Sequence, residues 1–315
     1  MQNKNDKSLF GIDINEFTQG VDFEVLSKTL DFLYLRSSGS GSAGGRFRVD
    51  KKFLEYAPKA RQYKIPVGAY HYGVPSYDLT AADAQCDDFI NLLQQGFGEK
   101  NYGDLFPVLD IEAPIEEKIS TKALVTWVDR FRKRFEKKTR RRLMLYTGLF
   151  FIHLYDDFNV PGIGQPLKNM PLWIAMYTNV PINPPYPPDA GGWKRWRIWQ
   201  FSESAIVEGV SNPVDANWGP DSIDLLTQPR SITGLKAVRE GKKILVNWNP
   251  NTDTDLLGYN LFVNGYWITT LNKNDTKFEI NESDLPVTAK GLITISIEAF
   301  DNDGEVSQIR SKVVV

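Results

Sequence analysis

The chain has 315 residues, and 37 Lys+Arg against 39 Asp+Glu leave a formal charge of −2. Hydrophobic residues at 42% and charged residues at 24% are ordinary globular values and exclude a disordered or fibrous chain. The charge balance holds in both parts, with 10 basic and 11 acidic residues in 228–315 and 27 and 28 before it, so the basic excess of a nucleic-acid binder is absent. A single cysteine excludes an internal disulfide and metal sites built on thiolates.

At a typical ~150 residues per domain this length predicts two domains, although a (β/α) barrel can use ~250 residues as one unit. The opening MQNKNDKSLFGIDI has no apolar signal-like region, and LMLYTGLFFIHLY at 143–155 is too short to span a bilayer. The expectation is a soluble product made in the cytoplasm, with no membrane insertion.

Over the first two-thirds, short β-rich runs alternate with helical patterns. The runs are LFGIDI (9–14), FLYLRSS (32–38), PVGAYHY (66–72), FPVLDIE (106–112), RLMLYTG (142–148), PLWIAMY (171–177) and WRIWQFS (196–202). Within 78–95, Ala82, Cys86, Phe89, Ile90 and Leu93 recur at helical spacing on one apolar face. Leu124, Trp127, Val128 and Phe131 do the same within 120–138. Strand and helix alternating this often predict a parallel sheet, and seven strands plus a short one near Val214–Asp215 predict closure into an irregular α/β barrel. Chemistry on such a barrel sits at the C-terminal ends of its strands. Near residue 226 the helical pattern stops. KKILVNWNP, LLGYNLFVNG, YWITTL, KFEI and GLITISIEAFD follow, separated by the turn signals NPNTDTD, VNGY and DNDG, which is the pattern of a small antiparallel β-sandwich. The boundary is expected at Gln228–Pro229, giving domains 1–227 and 228–315.

The run FPVLDIE ends in Asp110-x-Glu112. Side chains at i and i+2 of a strand share a face, so both carboxylates are expected to point inward at the barrel mouth. Crowded carboxylates push one proton affinity up, and glycoside hydrolysis needs one protonated acid beside one ionised partner. Asp13, ending the first run in GIDINEFTQG, and Asp215, in VSNPVDANWG near the last, are expected to join them in one pocket.

With these motifs the sequence resembles the glycoside hydrolase family 25 lysozymes, the N-acetylmuramidases of phages and some bacteria. The resemblance covers about 9–222 through GIDINEFTQG, YLRSSGSGSAGGRFRVDKKF, PVGAYHYG, VLDIE, LMLYTG, PLWIAMY, WRIWQFSESAIVEGV and VDAN. It implies a flattened, TIM-like (β/α)₈ barrel that cuts the β-1,4 bond from N-acetylmuramic acid to N-acetylglucosamine in bacterial peptidoglycan, with no cofactor. It makes Glu112 the general acid/base and Asp110 its partner, which either orients the substrate's N-acetyl group or acts as nucleophile. Asp13 and Asp215 become supporting acids, and Tyr146 is placed against the reacting sugar. Many members carry K-A-T/S-E-G after the second strand; here it reads Arg36-Ser37-Ser38-Gly39 with no acid, and the Gly- and Ser-rich loop 38–46 is expected to be mobile. A chitinase-type site needs D-x-D-x-E, and Val108 occupies its first position.

Among the aromatics, Tyr70, Tyr177, Trp173 and Trp193 are expected to contact sugar, since flat rings stack on sugar faces. Trp199 divides between core and pocket. His71 and His153 read as structural, which excludes a zinc amidase. Cys86 reads as a buried thiol. Nine Lys/Arg in Arg130–Arg142 read as a solvated helix face or an attraction to anionic wall polymers. The C-terminal part resembles a fibronectin type III domain through Trp248 in ILVNWNP, LLGYNLFVNG and ISIEAFDNDGEVSQIRS, with Ile293 where such domains commonly carry a tyrosine. The resulting expectation is a phage-type muramidase, either released at lysis or carried by virion tail or injection-device proteins; a structural or carbohydrate-binding barrel is the alternative.

Overall fold

The computed structural model describes residues 1–40, 46–177, 185–285 and 291–315. The chain forms two compact units, Met1–Leu226 and Thr227–Val315. In chain order the first holds β1 (Phe10–Ile14), α1 (Phe23–Thr29), β2 (Phe32–Gly39), β3 (Arg48–Val49), α2 (Phe53–Gln62), β4 (Val67–Tyr72), α3 (Leu79–Phe97), β5 (Val108–Asp110), α4 (Thr121–Thr139), β6 (Met144–Gly148), α5 (Leu149–Leu154), β7 (Leu172–Ala175), β8 (Ile198–Ala205) and β9 (Val214–Trp218). Most of loop 38–46 lies outside the described residues.

The strands follow the order β1-β9-β8-β7-β6-β5-β4-β2, and β1 also pairs with β2, which closes an eight-stranded barrel with β3 appended to β2. Six strands, β2 and β4 to β8, run parallel to one another, and β1 is parallel to β2. The expected all-parallel sheet is corrected at β9, which is antiparallel to both β8 and β1. The physical reason is length: a parallel return needs a crossover of a dozen or more residues, and the segment from Ala205 to Val214 is too short to supply one.

Strand alternation sorts the core into two layers. Phe32, Tyr34, Tyr70, Val108, Met144, Tyr146, Trp173, Ala175 and Ile198 fill the barrel interior. Leu33, Leu35, Ala69, Leu109, Leu145, Ile174 and Trp199 face outward into a larger core shared with the helices. Two glycines admit the interior rings: a Cβ on Gly11 would overlap the Phe32 ring, and one on Gly68 the Tyr34 ring. The helices begin where side chains satisfy free backbone N–H groups: Asp22 caps α1, Asp78 caps α3 and Ser120 caps α4. Their apolar faces, Ala82, Cys86, Phe89, Ile90 and Leu93 on α3 and Leu124, Trp127, Val128 and Phe131 on α4, are buried against the sheet.

The second unit is all β: β10 (Lys236–Glu240), β11 (Lys243–Asn247), β12 (Leu256–Val263), β13 (Tyr266–Asn272), β14 (Lys277–Asn281), β15 (Thr294–Asp301) and β16 (Ser311–Val314). Three strands in the order β10-β11-β14 and four in the order β13-β12-β15-β16 form two antiparallel sheets. They enclose their own core, with Trp248, Tyr259, Leu261, Ile280, Ile295 and Ile297 buried.

Candidate active site

The pocket at the C-terminal mouth of the barrel is lined by Asp13, Tyr70, Asp110, Glu112, Tyr146, Trp173, Gln200 and Asp215. Seven of these eight were singled out in the sequence. Asp13 and Asp215 face each other across the β1–β9 ladder. Asp110 ends β5, and Glu112 lies two residues past the strand, on the segment leading to α4. The expectation that one strand carries both acids is thus corrected: the β5 ladder stops at Asp110, paired to Tyr72 and Tyr146, but the chain still delivers Glu112 to the same pocket.

Burial dominates the electrostatics. Asp110 is pushed well above the usual carboxylate range by burial first, then by the charges of Glu112 and Asp13. Glu112 is raised by burial and then by Asp13. Asp215 is pushed up to about 9 by burial, by the negative charge of Asp13 and by donating a hydrogen bond to it. Burial also raises Asp13, but hydrogen bonds from Asn217, Gln200 and Asp215 oppose it, so Asp13 is the anion of its pair. The Arg36 guanidinium pulls Asp110 the other way; Arg36 is itself held by Asp50 at 2.9 Å and Glu16 at 3.4 Å.

Polar side chains order this cluster. Gln200 Nε2 donates to Asp13 Oδ2 at 3.0 Å, and Asn217 Nδ2 donates to the same oxygen at 2.8 Å. The Tyr146 and Tyr177 hydroxyls both donate to Gln200 Oε1, at 2.8 and 2.9 Å. Trp173 Nε1 donates to Asn217 Oδ1 at 2.9 Å. Asp110 Oδ1 is buried with no hydrogen-bond partner.

The remaining expectations separate by position. Tyr70 and Tyr146 line the pocket, with burial raising both phenols well above their ordinary range so that they stay neutral. Tyr177 is half-buried at the rim, tied to Gln200. Trp173 is buried at 1% exposure, its ring edge-on to Tyr146 at 5.1 Å, so it forms the pocket floor. Trp193 is corrected: it is buried in the outer core against Phe158, and its Nε1 donates to the Met170 carbonyl, which leaves no face for sugar. The turn Gly191–Gly192 folds back beneath it, and a Cβ on Gly191 would meet its ring at 2.5 Å. Trp199 is likewise core, with Nε1 on the Met176 carbonyl.

His71 points outward from β4 between Ser38 and Gln85, and burial lowers its pKa to about 4, so it is a neutral structural link. His153 is on the surface beside Asp157 at 2.8 Å. Cys86 is buried, with its thiol pushed up to about 12. On α4, Arg130 pairs with Asp83, Arg134 and Lys138 with Asp87, and Arg132 with Asp129 and Glu136, so much of that basic run meets acids of α3 and α4. Among the described residues, no cluster of His, Cys, Asp or Glu is arranged to hold a metal.

The sequence reading missed Gln200 and Asn217 as individuals, though both lie in quoted motifs. Gln200 is two positions from Ile198, which faces inward, and Asn217 is two from Asp215, so strand parity places both on the inner face.

Carboxylates with raised proton affinity at the C-terminal mouth of a closed barrel, lined by tyrosines, fit the acid pair of a glycoside hydrolase. The sequence profile of glycosyl hydrolases family 25 matches residues 12–210, and the chain belongs to that family. It is a peptidoglycan-hydrolysing lysozyme. The crystal structure of the Clostridium perfringens spore cortex lytic enzyme SleM is similar over 100% of this chain and 99% of its own, at 55% identity and a TM-score of 0.96. Lysozyme M1 of Streptomyces globisporus is 27% identical over 66% of each chain. The lysozyme of Streptomyces coelicolor, at 24% identity and a TM-score of 0.56 over 70% of this chain and 96% of its own, shares the fold.

Proposed function

We propose that Glu112 is the general acid/base in cleavage of the β-1,4 bond from N-acetylmuramic acid to N-acetylglucosamine, and that Asp110 orients the substrate's N-acetyl group. The single observation that carries this reading is Asp110 Oδ1, buried beside Glu112 and lacking a hydrogen-bond partner. A buried acceptor left open is costly until filled, and a substrate amide N–H fills it. That contact turns the amide carbonyl oxygen toward the anomeric carbon, where it attacks as the C–O bond to the leaving sugar breaks. Glu112, the more accessible of the two acids, gives its proton to the leaving oxygen. It then takes a proton from the water that opens the cyclic intermediate, restoring the N-acetyl group and the acid. Tyr146 within the pocket and Tyr177 at its rim carry neutral hydroxyls.

The physiological substrate we favour is spore cortex peptidoglycan, because the likeness to a spore cortex lytic enzyme runs through the whole chain. Release at phage lysis and carriage on a virion, both expected from the sequence, have no counterpart in that full-length likeness. We also read the second unit as a fibronectin type III-like spacer. Its three strands against four, with Trp248 packed on Tyr259 at 5.5 Å, support this. Tyr259, whose hydroxyl donates to the Lys273 carbonyl, supplies a buried tyrosine tie, while Ile293 is wholly apolar core.

The test is mass spectrometry of cortex and vegetative-wall peptidoglycan digested by the full chain. New reducing ends at N-acetylmuramic acid support the reading, and new ends at N-acetylglucosamine sink it. Proton NMR of the first product should show the β-anomer, since double displacement retains configuration. An α-anomer formed first would remove participation by the substrate.

A further inference from the structure

Asp13 Oδ2 receives two amide N–H groups, from Gln200 and Asn217, and both amides are locked from behind. A tryptophan N–H can only donate, so the Asn217 atom facing Trp173 Nε1 is the carbonyl oxygen and the one facing Asp13 is the nitrogen. Gln200 is oriented in the same sense by two tyrosine hydroxyls on its oxygen. Reversing either amide would set a carbonyl oxygen against a carboxylate oxygen. Asp13, Gln200, Asn217 and Trp173 are buried, with Gln200 at 2% exposure and Asn217 at 0%.

From this geometry we infer that Gln200, Asn217 and Trp173 are positioning residues that hold Asp13 in its charged form, and that this charge, in the pocket Asp13 shares with Glu112, helps keep the proton on Glu112. After burial, Asp13 raises Glu112, and Asp110 and Glu112 act on one another. The other groups around Glu112 are Tyr72 on β4, Asp110 on β5, Tyr146 on β6, Tyr177 after β7 and Asp215 on β9. Arg36 on β2 acts on Asp110, and Glu203 on β8 acts on Asp215 and Tyr177. The tyrosines stay neutral, and burial, then the charge of Asp13 and the hydrogen bond to it, keep the proton on Asp215. When the two amides are lost, the anion is no longer tied to Asp13, and the negative charge divides with Asp215 across the ladder. The prediction is that Glu112 then gives up its proton at lower pH.

The inference rests on Glu112 being the acid, so its test includes a readout that needs no turnover. In the full chain, carboxyl ¹³C NMR titration, with the Glu112 signal assigned from Glu112→Gln, is compared for wild type, Asn217→Leu and Gln200→Met. The Glu112 midpoint should fall by about one pH unit in each variant, and the alkaline limb of the hydrolysis rate should move down with it. Trp173→Phe keeps an aromatic ring in the pocket floor and leaves both amides in place while removing the N–H that orients Asn217, so it is a second variant should the amide variants unfold the barrel. It should shift Glu112 in the same direction by a smaller amount. A Glu112 midpoint unchanged in Trp173→Phe and in whichever amide variant folds overturns the inference. So does a rate that drops equally at every pH, which is the mark of a merely structural role. If Glu112 shifts but the rate limb does not, the positioning inference stands and the assignment of Glu112 as acid fails.

Discussion

Both units of this chain bury acids, and in both burial raises their hold on protons. In the barrel Asp215 is pushed up to about 9, beside Asp13 and Asp110. In the sandwich Asp301, at 1% exposure, is pushed up to about 7 by burial and by the charges of Glu305, Asp255 and Asp303. The surroundings differ. In the barrel the acids line a pocket and are ordered by side-chain amides anchored on aromatic residues. In the sandwich Asp301 Oδ1 accepts from the backbone N–H groups of Asp303 and Glu305, each at 2.9 Å, so the carboxylate pins the turn after β15. The lesson is that a raised carboxylate, even one with an unpartnered oxygen as at Asp301 Oδ2, marks burial, and that access to a pocket together with side-chain order marks chemistry.

The largest effect expected from this contrast is on Glu112. Glu112→Gln keeps the shape and removes the proton, so the release of reducing ends from soluble peptidoglycan fragments should drop by ~10²–10⁴-fold. Circular dichroism should be unchanged, and the melting temperature near neutral pH equal to wild type or higher, because a buried acid has been made neutral. Near wild-type hydrolysis would refute the acid assignment and leave the barrel cluster no more catalytic than that of the sandwich.

Asp215 gives the next effect, read as stability against pH. Its folded pKa of about 9 lies above the ordinary 3.8, so the folded state holds a proton that the unfolded chain has released. The stabilisation is complete below about pH 4 and is lost as pH rises toward about 9. Asp215→Asn should flatten that decline. At ~2–4 °C per kcal/mol for a unit of this size, thermal scans at pH 5 and pH 8 resolve the difference. An equally steep decline in the variant would mean that Asp215 does not carry the buried proton.

Much of this contrast was legible in the sequence, and the remainder has physical reasons. The alternating patterns located the strands and helices because burial on one face leaves a period. Asp13 and Asp110 were visible because they sit at the ends of apolar runs, and Asp215 because it lies in a short run near the close of the barrel pattern. Glu112 beyond its strand was hidden, since i, i+2 parity reads the same whether or not the ladder continues. The antiparallel β9 depended on loop length, which is read less directly than strand pattern. Trp193 misled because a glycine turn predicts an exposed ring, whereas Gly191 and Gly192, at φ 58 and 87, fold the turn so that the indole is buried. Gln200 and Asn217 were overlooked because amides have no signature until their partners are known.

Removing the sandwich tests whether the two acid clusters are independent. Each unit encloses its own core, so residues 1–227 alone should fold and cut soluble fragments within a few-fold of the full chain. Activity on intact peptidoglycan should fall further if the second unit adds a surface contact that raises local concentration. A folded but inactive barrel would place part of the working site in the sandwich and end the spacer reading.

The smallest effect is expected at Asp301, where the direction of the change carries the argument. With a folded pKa of about 7 against 3.8, Asp301 stabilises fully below about pH 4 and loses that contribution as pH climbs through about 7. Asp301→Asn retains an oxygen that can accept from the Asp303 and Glu305 N–H groups, as Oδ1 does now. It removes only the buried charge. At pH 8 the variant should therefore unfold at a temperature equal to or higher than wild type, by about 1 kcal/mol or less after the weaker neutral hydrogen bonds are counted. At pH 4 the two should match. Hydrolysis of soluble fragments should be the same for both proteins across the pH range. A changed rate profile would show that the sandwich acids reach the chemistry, and the distinction drawn between the two clusters would fail. A variant less stable at pH 8 than wild type would instead show that the Asp301 charge is compensated where it lies, and that the turn depends on an ionised carboxylate.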